Sequence, residues 1–481
     1  MKWLLMISAL MTWGCWATNP GVAQWIADED RYELGHRLRR FEMAWQAADA
    51  AGRARSVAPM ETAVNSFFRL QLKQAGRYLD QAYLAVLAGE PTAAHRWIVS
   101  QRILVEPRVA DGSESKVRIQ LLDNYETDVP PPADARVEWQ LTTTDQRIIR
   151  TIQIDLSAAR EGYTWETDTL APDDYYLIGT LDGAGQTYRF AQILISRVKD
   201  WEPRLKALED RVEAVRKEAS PTGRATLRHL LSLLDSLHDG HTLETDYRAC
   251  QLLQVCEALC EANGHSERVF SASRPGDYTL SLSYEKREQT VRIRVPENAT
   301  EPLPVLIAYH GAGGSENMFF ENYGAGRLVT LGTQRGWLVV APQQSLFGSD
   351  LDCPQLLDLL ADHFPIDRQR VFLVGHSMGA AQVMSQVSRH PTAMAAAVAL
   401  GGGRGVLDAT QLKQVPWFVA AGERDFGRRG AQGLVRSLES VGAKVQWLEV
   451  PHVEHLVIVQ AALDDVFKFL DTVAQSPPAR E

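Results

Sequence analysis

The spacing of apolar residues in the first hundred positions is helical. Leu34, Leu38 and Phe41 recur every three or four residues, and a denser apolar set follows over 67–84. This repeat places apolar side chains on one face of a helix, which must then pack against another element. We predict a helical region over residues 24–105.

Beyond this region the apolar period changes to two. Val117, Ile119 and Leu121 alternate with polar residues, and turn-rich sequence such as Val129–Pro132 separates this run from similar ones. Alternation between such breaks is typical of antiparallel strands with one face in solvent. At least five such runs predict a small immunoglobulin-like β-sandwich over 106–198.

Helical spacing returns over residues 199–265. Leu205, Leu208 and Val212 mark one predicted helix, and a second apolar helix follows over about 226–237. These helices could pack back on the first helical region.

The remaining residues, 266–475, alternate short apolar runs with helical stretches. Continuous Val, Leu and Ala runs separated by helices indicate a mostly parallel sheet that is covered on both faces. The predicted fold class is therefore α/β, with a mostly parallel eight-strand sheet in the C-terminal domain, preceded by the helices and the sandwich. The eight predicted strands are Tyr278–Tyr284, Thr290–Val295, Val305–Tyr309, Trp337–Ala341, Val371–Val374, Ala395–Leu400, Trp417–Ala421 and Val445–Val450.

The composition is that of a folded, globular protein. The chain has 481 residues, of which 45% are apolar and 23% are charged, and its formal net charge is −10. An acidic chain offers no overall positive field to the phosphates of nucleic acid. These values argue against nucleic acid as a partner.

The N-terminus has the pattern of a signal peptide over residues 1–23. Lys2 precedes the apolar run Trp3–Trp13, and small residues follow up to Ala17 or Ala23. This run and the later ones are too short to cross a bilayer, which takes about twenty residues. We expect an exported, periplasmic or extracellular protein without an integral membrane segment after signal removal, or alternatively one anchored through a lipidated Cys15.

Four cysteines remain after the predicted signal peptide. They are Cys250, Cys256, Cys260 and Cys353. In an oxidising compartment one or two disulfides could form, with a pairing that the sequence leaves open. Their spacing matches no familiar zinc pattern, so disulfides or small buried residues are preferred to metal ligands.

The strongest chemical motif is Gly375-His-Ser377-Met-Gly379. It follows an apolar strand and precedes small, helix-compatible residues. A Gly-x-Ser-x-Gly turn between a strand and a helix lifts the serine hydroxyl to the carboxyl edge of a sheet, and its glycines avoid collisions with neighbouring backbone. Ser377 is therefore the candidate nucleophile.

A serine nucleophile needs a base and a group that orients the base. Asp425 follows one buried strand, and His455 follows the next, so the order is Ser377, Asp425, His455. This is the chain order of the triad in α/β-hydrolases. The rivals are His452 for the base and Glu423 for the carboxylate, and the later histidine is favoured because the chain must curl back towards Ser377.

Backbone amides are candidates for binding the negative charge that develops on a carbonyl oxygen. The segment His310–Gly314 follows a buried strand, and its small residues let amides turn inward. We assign the oxyanion hole to Gly311, Ala312 and Met378. His310 is expected to pack beneath the loop, and such a site requires no metal or organic cofactor.

Residues 276–470, about 40% of the chain, resemble the α/β-hydrolase superfamily. The likeness is strongest to the esterase group that includes polyhydroxybutyrate depolymerase-like and feruloyl-esterase-like enzymes. It is carried by His310–Asn317, Phe364–Ser377 and Gly422–Asp425. The resemblance implies a serine hydrolase that cleaves small-molecule or polymeric carboxylic esters through an acyl-enzyme.

The sequence departs from the family pattern at two positions. Glu454 stands where a glycine commonly precedes the catalytic histidine, which keeps His452 as an alternative, and Ala380 replaces a frequent second glycine after Ser377. Neither departure removes a reacting group.

The catalytic domain is expected to lack its own lid. Only about fourteen residues separate the predicted strand that ends near Gly402 from the one that begins at Trp417. Many lipases and related hydrolases insert a helical cap at this point. Our hypothesis is that residues 24–265 partly roof the site or present substrate to it.

Two other functions stay open at this point. Prolyl-oligopeptidase-like serine peptidases also place accessory domains before the hydrolase domain. A non-catalytic envelope binding protein could be built on a hydrolase fold that has lost activity, although the complete set of triad residues argues against it. The sequence does not indicate an oligomeric state.

Overall fold

The computed structural model describes residues 20–87, 90–112, 116–344 and 350–475. Most of the predicted signal peptide, with Cys15, lies outside these residues. Within the described ranges no helix combines the length and apolar character needed to cross a membrane.

The first helical region consists of four helices. Asp49 caps the second of them by accepting a hydrogen bond from the Gly52 amide at 2.7 Å, which satisfies one of the free donors at a helix N-terminus. The helices are α1 (Pro20–Ala47), α2 (Ala50–Phe68), α3 (Leu72–Leu87) and α4 (Ala93–Val99).

In the described residues that follow, nine strands and one short helix form a two-sheet sandwich. One sheet has the order β1-β3-β6, and the other has the order β2-β9-β7-β4-β5, with β8 paired to β7. All pairs are antiparallel except β2 and β9. The elements are β1 (Gln101–Glu106), β2 (Val109–Asp111), β3 (Lys116–Asp123), β4 (Arg136–Thr143), β5 (Ile148–Asp155), α5 (Leu156–Glu161), β6 (Tyr163–Glu166), β7 (Asp173–Gly183), β8 (Gln186–Arg189) and β9 (Ile193–Val198).

The sandwich core explains why the alternating pattern was visible in the sequence. Trp139 of one sheet and Ile119 of the other are fully buried in the same apolar cluster. The first strand begins at Gln101, five residues before the predicted boundary at 106. Its alternation, carried by Ile103 and Val105, is too short to be separated from the preceding helix by pattern alone.

The second helical region packs on the C-terminal sheet rather than on the first helical region. It comprises α6 (Trp201–Val215), α7 (Pro221–His238) and α8 (Ala249–Glu261). Leu230 and Leu234 of α7 share a buried cluster with Leu280, and the Thr226 hydroxyl accepts a hydrogen bond from the Ser281 amide at 3.1 Å. The expectation that these helices pack back on the first region was wrong, because their apolar face is used by the sheet.

The C-terminal domain has the predicted α/β architecture. Its sheet has eight strands in the order β10-β11-β13-β12-β14-β15-β16-β17. Strand β11 pairs antiparallel with both β10 and β13, and the strands from β13 onward in this order pair in parallel. The strands are β10 (Gly276–Tyr284), β11 (Arg287–Val295), β12 (Leu303–Tyr309), β13 (Leu338–Pro342), β14 (Ile366–His376), β15 (Ala396–Leu400), β16 (Trp417–Gly422) and β17 (Val445–Val450).

Within the part of this domain that the structure describes, six helices cover the sheet together with the two helical regions. Ile307 of β12 joins the core that contains the second helical region, whereas its neighbour Leu306 joins the core that contains the first. The two N-terminal helical regions therefore lie on opposite faces of one sheet. The helices are α9 (Met318–Glu321), α10 (Arg327–Gln334), α11 (Cys353–Ala361), α12 (Met378–Arg389), α13 (Arg428–Ser440) and α14 (Val457–Gln475).

The cysteines of helix α8 serve as small buried residues. Cys256 and Cys260 are both buried in the apolar core beneath the sheet, and they and Cys250 carry free thiols. No disulfide links cysteines within the described part of the chain. In the same residues, no three or more His, Cys, Asp or Glu side chains are grouped as metal ligands.

Candidate active site

Ser377 stands at a sharp turn between β14 and α12. Its φ of 55° and ψ of −110° are strained for a residue with a side chain. A Cβ at Gly375 would lie 2.1 Å from the Gly379 carbonyl oxygen, and one at Gly379 would lie 2.0 Å from the Tyr309 carbonyl oxygen. The glycines are therefore required by close backbone contacts, as the Gly-x-Ser-x-Gly pattern predicts.

Three side chains meet at this turn. The His455 Nε2 lies 2.9 Å from the Ser377 Oγ, and the His455 Nδ1 lies 2.7 Å from the Asp425 Oδ1. Both His455 and Asp425 are buried. Their loops follow β16 and β17, which are neighbours in the sheet, so residues far apart in the chain reach one edge.

Asp425 is held in its ionised form. Burial by itself raises the pKa of this carboxyl, but the hydrogen bond and charge of His455 outweigh it. The Gly427 amide also donates to the Asp425 Oδ1 at 2.6 Å. The net effect is that the pKa of Asp425 lies below its ordinary value.

The two rival residues lie outside this arrangement. His452 is exposed, and its amide donates to the Glu423 Oε2 at 3.1 Å. Its positive φ of 55° turns the chain back towards Ser377, so that the later histidine reaches the hydroxyl. The structure brings Asp425 and His455 to Ser377 and leaves His452 and Glu423 at the surface.

Glu454, which replaces the usual glycine, caps the last helix. Its carboxylate accepts hydrogen bonds from the Leu456 amide at 2.9 Å and from the Val457 amide at 2.8 Å, and these are donors that a helix N-terminus leaves free. Burial raises the pKa of Glu454 to about 7, and these amides only partly offset it. The departure from the family pattern thus fixes the start of α14 beside His455.

The buried carboxyl of Glu454 makes stability depend on pH. Because its pKa is raised from 4.5 to about 7 in the folded protein, the folded state binds the proton more tightly than the unfolded state. The resulting stabilisation is complete below pH 4.5 and is lost as the pH rises through about 7. We expect Glu454→Gln, which mimics the protonated form, to reduce this loss by an amount on the order of 2 kcal/mol.

Urea unfolding of the two proteins at about pH 5 and pH 8 measures this difference. Glu439→Gln, an exposed substitution on α13, is the matched control and should leave the pH dependence unchanged. An unfolding free energy that changes equally with pH in the native protein and in Glu454→Gln would contradict the prediction.

The segment His310–Gly314, called the oxyanion loop below, differs from the sequence prediction at Gly311. Its amide donates to the Tyr323 hydroxyl at 3.2 Å and is therefore not directed at a substrate oxygen. The amides of Ala312 and Met378 donate to no described residue, and Met378 begins helix α12, where free donors are expected. The Gly311 amide is therefore occupied within the protein, and the amides of Ala312 and Met378 remain the candidates for the oxyanion donors.

Gly311 instead allows close packing behind the nucleophile. A Cβ at this position would lie 3.0 Å from both the His376 Nδ1 and the Tyr323 hydroxyl oxygen. His310 supports the same loop: its Nδ1 lies 2.8 Å from the Gly311 carbonyl oxygen and its Nε2 accepts a hydrogen bond from the Gln344 amide at 3.0 Å. His310 thus lies in a structural position beneath the loop.

The sequence analysis missed a buried chain of hydrogen bonds that joins the oxyanion loop to His455. The Tyr323 hydroxyl lies 2.8 Å from the His376 Nδ1, and the His376 Nε2 lies 2.8 Å from the His455 carbonyl oxygen. Burial and the neighbouring His455 lower the pKa of His376 to about 3. The ring is therefore neutral, with Nε2 as the donor to the carbonyl and Nδ1 as the acceptor from Tyr323.

Tyr323 is expected to act as a positioning residue. Tyr323→Phe removes the acceptor of the Gly311 amide and the donor to His376, which frees both the oxyanion loop and the backbone of His455. Small displacements of reacting groups are costly, so we expect kcat for a neutral aryl ester to fall roughly 10-fold. Steady-state kinetics measure this effect.

The control for Tyr323 is another tyrosine of the same domain. Tyr284, at the end of β10, lies outside the wall of the cavity at Ser377, and its ring contacts the Arg287 guanidinium at 5.5 Å. Tyr284→Phe should therefore leave kcat within about twofold. If both variants lose stability and neither loses kcat, Tyr323 has only a structural role.

The first helical region covers the site from above. A Cβ at Gly313 of the oxyanion loop would lie 2.9 Å from the Phe67 ring, and Phe68 contacts Phe426 edge to face at 6.1 Å between centroids. Phe426 in turn lies 3.8 Å from the His455 ring. The end of helix α2 therefore reaches both sides of Ser377.

A large cavity lies beneath this cover. Its volume is about 1350 Å³, and Ser377, His455 and the oxyanion loop form part of its wall. Other parts come from α1, from β7 of the sandwich and from the loop before α8. The N-terminal residues thus contribute to the walls of the site, in line with the hypothesis that they roof it.

A comparison with protein families agrees with this fold. Residues 305–478 match the model of the Alpha/beta hydrolase family, and the strand order and the turn at Ser377 are those of that fold. The C-terminal part of the chain is therefore an α/β-hydrolase domain. A search of curated protein sequences gave no match.

Solved structures that resemble the chain align with about two fifths of it. An S-formylglutathione hydrolase from Agrobacterium tumefaciens is 17% identical, with 41% of this chain and 96% of that chain covered and a TM-score of 0.35. A ferulic acid esterase is 16% identical, with 42% and 98% covered and a TM-score of 0.36. A ferulic acid esterase from Anaeromyces mucronatus is 15% identical, with 41% and 90% covered and a TM-score of 0.35.

Proposed function

We propose that the protein is a serine hydrolase that cleaves carboxylic esters through an acyl-enzyme. The observation that carries this proposal is the hydrogen-bonded series from Ser377 through His455 to Asp425, with distances of 2.9 and 2.7 Å. The amides of Ala312 and Met378 beside the serine support it further. These are the parts that acyl transfer requires.

Acylation follows from this geometry. As the Ser377 Oγ attacks the ester carbonyl carbon, His455 Nε2 takes the hydroxyl proton, and the two amides stabilise the negative oxygen of the tetrahedral intermediate. His455 then gives the proton to the departing alkoxide, which leaves as an alcohol. Asp425 stabilises the imidazolium while it carries that proton.

Deacylation repeats these steps with water. His455 takes a proton from water, the resulting hydroxide attacks the acyl carbon, and the proton returns to Ser377 as the acid leaves. The oxyanion donors act in both halves, and removing one such donor typically lowers kcat by about 10²- to 10³-fold.

The ester substrate is proposed from the sequence resemblance to esterases, and a peptide substrate is the competing possibility. A fluorophosphonate probe followed by peptide mapping tests the nucleophile, and we expect the label on Ser377. Parallel assays with 4-nitrophenyl acetate and a peptide 4-nitroanilide test the substrate class, and we expect turnover of the ester only. Absence of labelling would overturn the enzymatic proposal, and preferential cleavage of the peptide would replace the esterase by a peptidase.

We also propose that the protein is exported. Support comes from Lys2 and the apolar run Trp3–Trp13, followed by small residues. N-terminal sequencing of the protein from an expressing bacterium should give a start after Ala17 or Ala23, or at a lipidated Cys15. An intact N-terminus in the cytosolic fraction would contradict export.

A further inference from the structure

The cavity above Ser377 is rich in arginine. Seven arginines and four acidic residues line it within the described part of the chain, which gives an excess of three positive charges. The chain as a whole carries more acidic than basic residues, with a formal net charge of −10. Positive charge is therefore concentrated in this cavity, where low-dielectric walls strengthen its field.

Most of these arginines are neutralised by neighbouring carboxylates. Arg294 lies 2.9 Å from Asp277. Arg39 and Arg292 lie 2.9 and 2.8 Å from Glu321. Ion pairs of this kind shape the wall, and they leave little charge for a ligand.

Two cavity arginines differ from the others. Arg189, at the end of β8, and Arg248, in the loop before α8, are exposed and form no ion pair with a described residue. The Arg248 Nη2 donates to the Tyr176 hydroxyl at 3.2 Å, so its guanidinium is oriented. Against the effect of burial, Asp174 and Asp277 help to raise the pKa of Arg248, but neither forms an ion pair with it, so its charge is only partly offset. Both belong to the part of the chain that precedes the hydrolase domain.

These arginines belong to other elements than the reacting groups but share a cavity with them. That cavity of about 1350 Å³ is lined by both Ser377 and Tyr176 of the sandwich, and it has room for a substrate much larger than a small ester. A small ester would occupy only the end near Ser377. Guanidinium groups bind carboxylates and phosphates through paired, charge-assisted hydrogen bonds.

We propose that Arg189 and Arg248 form a subsite for the anionic part of a large ester substrate, whose scissile bond lies at Ser377. The proposal rests on the proposed esterase function and names its substrate class: esters of oligomers that carry carboxylate or phosphate groups. It assigns the sandwich and the α8 loop a role in substrate recognition. The hydrolase domain supplies the chemistry.

The test compares matched substrates on the full chain. O-acetylated oligogalacturonides carry carboxylates, an O-acetylated glycerol phosphate oligomer carries phosphates, and O-acetylated cello-oligosaccharides of similar length are neutral. We expect kcat/KM to be at least about 10-fold higher for one or both anionic substrates than for the neutral one, and we expect this preference to shrink at high salt. The anionic substrate with the higher kcat/KM shows whether the subsite binds carboxylate or phosphate.

A double variant tests the two arginines directly. Arg189→Ala together with Arg248→Ala should lower kcat/KM for the preferred anionic substrate about 10-fold and leave that for 4-nitrophenyl acetate within about twofold. Arg436→Ala, an exposed arginine of α13 outside the cavity, is the matched control and should change neither value.

The outcomes separate this inference from the proposed function. If the protein turns over 4-nitrophenyl acetate but shows no preference for anionic oligomers, or if the double variant keeps that preference, the subsite is refuted and the esterase stands. If no ester is cleaved and Ser377 is not labelled, the proposed function fails and the subsite fails with it.

Discussion

Replacing Ser377 with alanine is expected to lower kcat for 4-nitrophenyl acetate by roughly 10⁶-fold. The substitution removes the atom that forms the acyl-enzyme and leaves the oxyanion amides and the cavity in place. The Ser377 hydroxyl forms a hydrogen bond with the His455 side chain rather than with backbone atoms of the turn. The fold should therefore be retained. Initial rates and a fluorophosphonate labelling gel measure the loss.

The control for this experiment is a serine that is remote from the site. Ser440 is exposed at the end of helix α13, and its hydroxyl donates to the Ser437 carbonyl, so Ser440→Ala should keep both turnover and labelling. A Ser377→Ala protein that is folded and retains more than about one tenth of the activity would exclude Ser377 as the nucleophile.

The loss should not grow when the base is removed as well. Ser377→Ala combined with His455→Ala is expected to be no slower than Ser377→Ala alone, because groups that act as one unit are not additive. Multiplicative losses would indicate that His455 serves a separate reaction.

The parts of the fold that were predictable are those whose signal is local. All eight predicted strands of the C-terminal sheet are present, because strands buried on both faces are recorded as continuous apolar runs such as Val371–Val374. The turn at Ser377 is equally local, since its glycines are demanded by backbone atoms within a few residues or on the adjacent strand.

The face on which each helical region packs was not predictable. An apolar stripe such as Leu227, Leu230 and Leu234 shows that a helix is covered on one side. It carries no information about which of several apolar surfaces covers it. The partner, β10, is set by the connections of the whole chain, and so the second helical region was expected on the wrong neighbour.

The oxyanion loop shows the same limit at atomic scale. The sequence identified a glycine-rich loop in the correct place, but the direction of the Gly311 amide depends on the Tyr323 hydroxyl, twelve residues later. No sequence motif indicates that Tyr323 has this role, and Phe67 lies even farther from Gly311 along the chain. Contacts between residues that are distant in the chain thus decide which amides face the substrate and which side chains roof it.

The second large prediction concerns Asp425, which is favoured over Glu423 as the carboxylate that orients His455. Asp425→Asn is expected to lower kcat by about 10⁴-fold, because the asparagine amide can donate to His455 Nδ1 and so favours the tautomer whose Nε2 already carries a proton. In that tautomer the imidazole cannot accept the proton of Ser377. The substitution also removes the charge that stabilises the imidazolium.

The pH dependence of this loss follows from the state of Asp425. Its pKa is held below the ordinary value by His455 and by the Gly427 amide, against the effect of burial. The carboxylate is thus ionised throughout the neutral range. The loss in Asp425→Asn should therefore be present at every pH from about 6 to 8 rather than appear only above a threshold.

Glu423→Gln is the matched control for Asp425→Asn. Glu423 accepts the His452 amide at the surface, so its neutral isostere should keep kcat within about twofold. His452→Asn, which tolerates the positive φ of this position, should do the same. A large loss of kcat in these two variants, with activity retained in Asp425→Asn, would indicate that His452 and Glu423 are the base and its orienting carboxylate. The burial of the 2.7 Å contact between Asp425 and His455 argues for the assignment made here, because a carboxylate enclosed with an imidazole acts on it with far less screening by water.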